Sequence, residues 1–365
     1  MIYFDHNATT PVDERVLEAM LPYLHTIYGN PSSLYRFGRI ARSALDTARE
    51  QLAALIDAQP AQIIFTSGGT EANALALANA GNSQVAISAI EHPSVFENAQ
   101  SRQNSIMVLG VDQSGLMQTE TFDQAGLRSG DFVSLMLANN ETGAIQDVAA
   151  IAELLAERGV LFHTDAVQAL GKIPLSFKKL GVQLLSLSSH KIYGPKGCGA
   201  LVVAQGLNLQ AMQRGGDQER GFRAGTENVA AIVGFGKAAE LAKSEIDERA
   251  GKMLRLRERL ERQLIEIPGL VIFAQDAPRL PNTVQFGIPG CKGEMLLMQL
   301  DRRDIAVSSG SACAASSGEI SPVLTAMGLE PALARGAIRV SLGKDNTEQE
   351  IDQFIGVLKT LFAIP

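Results

Sequence analysis

The first group in this sequence that could do chemistry is a lysine at the end of an apolar segment. Lys191 follows Ser188, Ser189 and His190, where the apolar run 182–187 gives way to the turn residues 194–197. Strand ends are common ligand sites in α/β proteins, and a partly desolvated lysine is the side chain that forms Schiff bases. We therefore hypothesise that Lys191 binds pyridoxal phosphate in this way. The alternative is a solvated lysine in a surface loop.

Two further polar clusters follow apolar runs. Residues 67–73 form a small-residue turn that opens a helix, and the free amides of such a turn attract a phosphate. An ordinary strand-to-helix connection is the alternative. His92 follows the run 85–90 and could act as an acid or base or stack on a cofactor ring. Taken alone, a histidine at such a position is more often structural, which is the alternative.

Two more residues are candidates in the last third of the chain. Cys313 lies in residues 307–319, a stretch with almost no bulky side chain, which favours an accessible nucleophilic thiol over an idle small residue. Cys198 and Cys291 lie near apolar or turn positions. Arg339 lies inside the apolar run 338–342, so it needs a carboxylate or phosphate partner, either a ligand or an internal salt bridge.

Alternating strand and helix patterns must position these groups. They predict a mostly parallel sheet wrapped by helices, followed by a smaller α+β unit. The predicted strands of the sheet are 63–66, 85–90, 132–137, 161–164, 182–187 and 199–203. Helices are predicted at 13–24, 39–56, 229–242, 243–266, 294–300 and 348–362. We predict a large domain of residues 14–245 and a small domain of residues 1–13 and 246–365, which carries Cys313.

Composition narrows the class of protein. The 365 residues are 46% hydrophobic and 19% charged, as in ordinary globular proteins, and the net charge of -7 argues against a nucleic acid or an anionic membrane as the main partner. Three widely spaced cysteines form neither a disulfide framework nor a metal site and indicate a reducing compartment. Without a leader or an apolar span in the sequence, we expect a cytoplasmic protein.

Taken together, these segments resemble the cysteine desulfurases, the NifS/IscS branch of the class V aminotransferases and fold-type I pyridoxal-phosphate enzymes. The resemblance runs from about residue 4 to residue 351, and the order of its segments makes it specific. The segments are 7–11, 29–33, 66–71, 91–93, 139–143, 163–168, 190–197, 223–228 and 308–313. Two positions depart from the family pattern: Ser189 replaces a usual glycine, and Asp217 stands where the nitrogen-fixation branch tends to have histidine.

The resemblance implies a fold-type I transferase with a seven-stranded sheet and a role for each matching residue. Lys191 is expected to hold the cofactor, Asp165 to pair with its ring nitrogen, and Gln168 to bond the ring hydroxyl. His92 is expected to stack on the ring and help to move protons. The phosphate is expected to bind Gly69, Thr70, Ser188, Ser189 and His190, with Thr226 reaching the neighbouring subunit's cofactor. Asn140 lines the cofactor site and, with Arg339, binds the substrate carboxylate.

The implied reaction removes sulfur from L-cysteine, which gives L-alanine and a persulfide on Cys313. A homodimer and a sulfur-acceptor protein, such as an iron-sulfur scaffold, are the implied partners, and iron-sulfur assembly or tRNA thiolation is the implied pathway. Selenocysteine lyase or another fold-type I activity remains an alternative. A sulfur-carrier or scaffold subunit that has lost catalysis is the alternative outside enzymes.

Overall fold

A mixed seven-stranded sheet forms the centre of the molecule. The computed structural model describes residues 1–102, 106–310 and 320–362. In spatial order, the strands are β2 (Ile63–Thr66), β8 (Gly199–Val203), β7 (Leu184–Ser188), β6 (Leu161–Asp165), β5 (Phe132–Ser134), β3 (Val85–Ser88) and β4 (Ile106–Leu109). Only β8 runs antiparallel to its neighbours. The predicted α/β fold with a mostly parallel sheet is therefore confirmed.

These strands are mostly apolar because both faces of the sheet are covered by helices. Every residue of β7 and β8 is buried, as expected for central strands in such a sheet. Side chains alternate between the faces: Phe65 joins the core under α1 (Glu14–His25) and α2 (Arg36–Leu55), and Ile64 joins the core on the opposite face.

The helices on the opposite face begin directly after strands β2 and β3. They are α3 (Gly69–Ala78) and α4 (Pro93–Gln100). The remaining helices are α5 (Thr119–Gln124), α6 (Val148–Glu157), α7 (Phe177–Leu180), α8 (Val229–Leu264), α9 (Gly293–Asp301), α10 (Pro322–Ala326), α11 (Pro331–Ala334) and α12 (Glu348–Phe362). None of the helices in the described ranges is long and apolar enough to cross a membrane.

A second core surrounds two small sheets. Strands β12 (Ile338–Ser341), β10 (Thr283–Gly287) and β9 (Val271–Ile272) form an antiparallel sheet in that order. Strands β1 (Ile2–Tyr3) and β11 (Ile305–Ala306) pair in parallel, which joins the N-terminus to this part of the chain. The division of the chain into a large domain of residues 14–245 and a small domain of residues 1–13 and 246–365 stays a prediction.

Helix α8 differs from the sequence prediction of two consecutive helices. It is one helix of 36 residues, which at 1.5 Å per residue is about 54 Å long. Its first half, which includes Phe235, belongs to the core under the seven-stranded sheet, whereas Leu256, Leu260 and Leu264 belong to the second core. The change in charge near residue 243 marks a change of neighbours and not the end of a helix.

Helices α2 and α8 approach each other closely at a glycine. A Cβ atom built on Gly236 would lie 2.5 Å from the Ala48 Cα atom, so a side chain there forces the two helices apart. Gly251 lies on the same helix, and the nearest atom to a Cβ there is the flexible end of Arg255, at 3.5 Å.

We expect Gly236→Ala to lower the free energy of unfolding by about 1–3 kcal/mol, because it overpacks a helix contact. Gly251→Ala, the matched control, should raise it by about 0.5–1 kcal/mol through the greater helix propensity of alanine. Urea unfolding of both variants measures the difference. A Gly236→Ala protein as stable as the wild type would contradict the close contact.

Candidate active site

A cavity of about 300 Å³ opens at the carboxyl ends of the parallel strands. Its walls come from the ends of β6 and β7, the first turns of α3 and α4, the N-terminal segment and β12. The sequence-predicted residues that line it are Gly69, Thr70, His92, Asn140, Asp165, Gln168, Ser188, His190, Lys191 and Arg339. The structure therefore brings together residues that lie up to 270 positions apart.

Lys191 reaches this cavity from a 3-10 turn that directly follows β7. Its ammonium group donates hydrogen bonds to the carbonyl oxygens of Asn7 and Ala8. Burial, together with the positive charge of Arg339, lowers the pKa of Lys191 to about 8, although Asp165 and Asp5 act in the opposite direction. A lysine of this kind has a substantial neutral fraction near neutral pH, which a nucleophilic amine requires.

Asp165 is the last residue of β6 and is held as a hydrogen-bond acceptor at both oxygens. The Asn73 amide donates to Oδ2 at 2.7 Å, and the backbone amide of Val167 donates to Oδ1 at 2.9 Å. These two donors fix the orientation of the buried Asp165 side chain.

His92, one of the two histidines that line the cavity, caps the N-terminus of α4. The Ser94 backbone amide donates to the Nδ1 atom of His92 at 3.1 Å, so the other ring nitrogen, Nε2, carries the proton in the neutral form. Burial lowers the pKa of His92, and Lys191 lowers it further against the opposing effect of Asp165. The same Asn73 amide that holds Asp165 also donates to Ser94 Oγ at 2.9 Å. The carboxylate and the imidazole therefore share one positioning network.

One end of the cavity has the features of an anion site. Gly69 and Thr70 begin α3, whose first amides have no partner within the helix. A Cβ on Gly69 would lie 3.0 Å from a methyl group of Val167, so the backbone comes close to the neighbouring loop there. Ser188 Oγ is buried and has no hydrogen-bond partner among the described residues. This unpaired hydroxyl is available to a bound group.

His190 lies beside this anion site in its neutral form. Burial, together with Lys191 and Lys196, lowers the pKa of His190 to about 4. Its Nδ1 atom lies 3.1 Å from the hydroxyl oxygen of Thr9, which holds the ring against the N-terminal segment.

Arg339 forms the internal salt bridge that was one of its two sequence interpretations, and ligand binding stays a prediction. Its guanidinium group pairs with Asp5 at 2.6 Å and donates to the carbonyl oxygen of Asn140 at 3.0 Å, yet the residue also lines the cavity. The Arg339 Nε atom is buried without a hydrogen-bond partner among the described residues. The ion pair therefore fixes the arginine and leaves its Nε donor unused.

Two predicted site residues, Ser189 and Thr226, do not line the cavity. Ser189 is buried but does not line the cavity, and a Cβ on Gly194 would lie only 2.1 Å from its hydroxyl oxygen. Thr226 is exposed and does not line the cavity either. Cys313 lies outside the described residues.

The chain on both sides of residues 311–319 lies close to one buried carboxyl group. Ser321 donates to Glu141 Oε2 at 2.7 Å, and a Cβ on Gly310 would lie 3.5 Å from the same oxygen. Glu141 follows Asn140, which lines the cavity. Burial raises the pKa of Glu141, with partial opposition from Ser321 and Arg339.

The other two cysteines are poor nucleophiles. Burial is the main cause that raises the pKa of the Cys198 thiol well above its usual range, and burial also raises the pKa of Cys291. A raised pKa lowers the fraction of thiolate, which is the reactive form.

Sequence reasoning missed four residues that hold the predicted ones. Asn73 binds Asp165, and Asp5 binds Arg339. Asn7 binds Lys191, and Lys172 binds Gln168. Two of them carried a signal: Asn7 begins one of the family-like segments, and Lys172 follows Gln168 by four positions.

The chain is similar over nearly its whole length to known proteins. The family model described as Aminotransferase class-V matches residues 2–354. A cysteine desulfurase of Nostoc sp. is 43% identical over 98% of this chain and 92% of its own length. The cysteine desulfurase IscS of Methanosarcina thermophila is 42% identical over 98% of this chain and 91% of its own.

A solved structure agrees with these relatives. A NifS-like protein of Rickettsia africae superposes with a TM-score of 0.93 at 37% identity, and the match covers 100% of both chains. Because the family model spans almost the whole sequence and two relatives exceed 40% identity over it, this chain belongs to the aminotransferase class-V family.

Proposed function

We propose that this protein is a pyridoxal-phosphate-dependent cysteine desulfurase that moves sulfur from L-cysteine to Cys313. The observation that carries the proposal is the arrangement of Lys191, Asp165 and the N-terminus of α3 around one cavity. The relatives named cysteine desulfurase support the same activity.

The residues that line the cavity fit this cofactor. The first amides of α3 at Gly69 and Thr70 and the unpaired Ser188 hydroxyl suit its phosphate. Asp165 suits a protonated ring nitrogen, because its two oxygens are acceptors whose orientation Asn73 and Val167 fix. When bound, the cofactor withdraws electrons from the substrate Cα atom.

Further residues would hold its remaining groups. Lys191 would bind the aldehyde carbon, Gln168 the ring hydroxyl, and His92 one face of the ring. His190, neutral and fixed near Thr9, would complete the phosphate site together with Ser189 of the same turn. For Ser189, this role requires its hydroxyl to turn away from Gly194.

Lys191 and His92 are the proton carriers of the proposed reaction. The lowered pKa of Lys191 gives a neutral amine that can accept the Cα proton. The Nε2 atom of His92 carries a proton in the neutral ring and can donate it, and Ser94 prevents the ring from turning.

Asn140 and Arg339 would bind the substrate carboxylate. Arg339 is held by Asp5, so its charge is already balanced, and the unused Nε donor is the atom that gains a partner. A carboxylate bound there would share the guanidinium with Asp5.

Sulfur transfer requires a thiolate. The Cys313 thiolate would give its electron pair to the substrate sulfur, and the carbon–sulfur bond would break, with its pair going to Cβ, which then takes a proton. The products are a Cys313 persulfide and L-alanine. Because Cys198 and Cys291 have raised pKa values, Cys313 is the remaining candidate. The persulfide would pass to an acceptor protein of iron-sulfur assembly or tRNA thiolation. We propose that this reaction takes place in the reducing cytoplasm.

A homodimer is supported by exposed apolar side chains on α1, on the segment that joins α1 to α2, and at the start of α2. Single exposed apolar residues are common, but a contiguous set marks an interaction surface. Its members are Leu17, Leu21, Leu24, Tyr28, Leu34, Tyr35 and Phe37. Within such a dimer, the exposed Thr226 would reach the phosphate in the neighbouring subunit.

The proposed function is tested by incubating the protein with L-cysteine and a thiol and measuring sulfide and L-alanine. We expect both in equal amounts from the wild type, and at least ~10²-fold less from Lys191→Ala, which also loses the visible cofactor band. Lys196→Ala removes an exposed lysine of the same loop and should retain both. Turnover of selenocysteine or an oxo-acid without sulfide would contradict the desulfurase, and a colourless wild type would favour the non-catalytic carrier.

The lowered pKa of Lys191 predicts how cofactor loading depends on pH. The neutral amine attacks the aldehyde, so the rate at which the apo protein gains its visible band should rise with pH around a midpoint of about 8. An unperturbed lysine would give a midpoint near ~10.4. Stopped-flow absorbance measures this rate, and a midpoint near that of free lysine would show that Lys191 is not desolvated.

Cys313→Ser should retain the visible band, since Cys313 has no proposed part in cofactor binding, but should form no persulfide. Cys291→Ser is the matched control and should form it at the wild-type level. Mass spectrometry after L-cysteine treatment detects the gain of one sulfur atom. A persulfide on Cys313→Ser at the wild-type level would move the nucleophile to another cysteine.

A further inference from the structure

Lys172 is a buried lysine behind the cavity with no role in the reaction described above. Only 5% of the residue is exposed, and its ammonium group makes no salt bridge with the described residues. Burial lowers the pKa of Lys172 well below its usual value, and the charges of Lys191 and Arg339 lower it further. A lysine in such surroundings is costly to bury, so its contacts indicate what it does.

Those contacts are two side-chain amides. The Lys172 Nζ atom donates to Gln168 Oε1 at 2.7 Å and to Asn7 Oδ1 at 2.8 Å. A lysine side chain has donors and no acceptor when charged, and each amide has one oxygen and one nitrogen end. In the structure both amide oxygens face Lys172, and both amide nitrogens face away from it.

The orientation of Gln168 matters because this residue lines the cavity. Its Nε2 atom donates to the carbonyl oxygen of Asn7 at 2.9 Å, and the same carbonyl accepts from Lys191. If the amide were reversed, the Gln168 oxygen would face that carbonyl, and two acceptors would oppose each other. Lys172 excludes this arrangement.

The second amide connects Lys172 to the residues near Arg339. Asn7 Oδ1 also accepts from Asn282 at 3.0 Å, and Asn7 Nδ2 donates to the carbonyl oxygen of Asn140 at 3.1 Å. That carbonyl is the one that Arg339 binds. One buried ammonium group therefore orients amides on both sides of the cavity.

We propose that Lys172 is a positioning residue that holds the amide nitrogen of Gln168 toward the cavity, where it donates to the ring hydroxyl of the cofactor. The inference rests on the proposed function, because the cofactor provides the acceptor for Gln168. Lys172 touches neither cofactor nor substrate and acts through the two amides.

The test is the affinity of the apo protein for pyridoxal phosphate, measured by titration of the visible band. Lys172→Met keeps the length of the side chain and removes its donors, so the Gln168 oxygen loses its partner and only the Asn7 carbonyl holds the amide. We expect the Kd to rise about tenfold, as for the loss of one hydrogen bond to a charged group. Lys178→Met, at an exposed position on α7, should leave the Kd unchanged.

A double-mutant cycle separates positioning from a general effect on structure. In a Gln168→Ala background, Lys172→Met should cause no further rise in Kd, because the amide that it positions is gone. An equal rise in both backgrounds, or no rise in either, would overturn the inference.

Two further measurements keep the outcomes distinct. Lys172→Gln keeps a hydrogen-bond donor on a shorter side chain, so it should give a smaller rise in Kd than Lys172→Met. If Lys172→Met does not fold, Lys172→Gln takes its place in the double-mutant cycle. A wild-type protein without a Lys191-dependent band would overturn the proposed function itself. A normal wild-type band with an unchanged Kd in Lys172→Met would overturn the positioning role alone.

Discussion

The removal of Lys191 from water is the constraint on which the site depends. Three cationic side chains, Lys191, Lys172 and Arg339, lie near one another, and their mutual repulsion adds to the cost of burial. Lys191 donates to backbone carbonyls, and Lys172 donates to side-chain amides. Arg339 forms an ion pair with Asp5. This arrangement leaves Asp165 free of a direct ion pair among the described residues, so its charge remains available to a ligand.

The carboxyl edge of the parallel sheet determines where these groups meet. Strands β6 and β7 pair in register, Asp165 with Ser186, so the residues that follow each strand enter the same space. Asn73 on α3 then connects Asp165 to Ser94, and through it to His92 on α4. Two helices and a strand thus share one hydrogen-bond network, and a shift of any one of them would change the positions of both titratable side chains.

Local sequence could predict the residues that follow strands, because an apolar run and the polar turn after it lie together in the chain. Lys191, Asp165 and His92 were identified in this way or through the resemblance. Asp5 and Lys172 were not, since Asp5 binds Arg339, 334 positions away, and Lys172 binds Asn7, 165 positions away, and these contacts exist only in the folded chain. The edge strand β4 was missed because its apolar run is only four residues long, and so short a run does not by itself distinguish a strand from a helix segment.

Helix α8 has a consequence for how the molecule unfolds. Its first half supplies side chains to the core under the large sheet, and its second half supplies side chains to the core of the small sheets. If either core opened alone, it would expose the apolar face of a helix that the other core still holds in place. Both cores should therefore lose their structure in a single cooperative transition, even though their sheets share no strand.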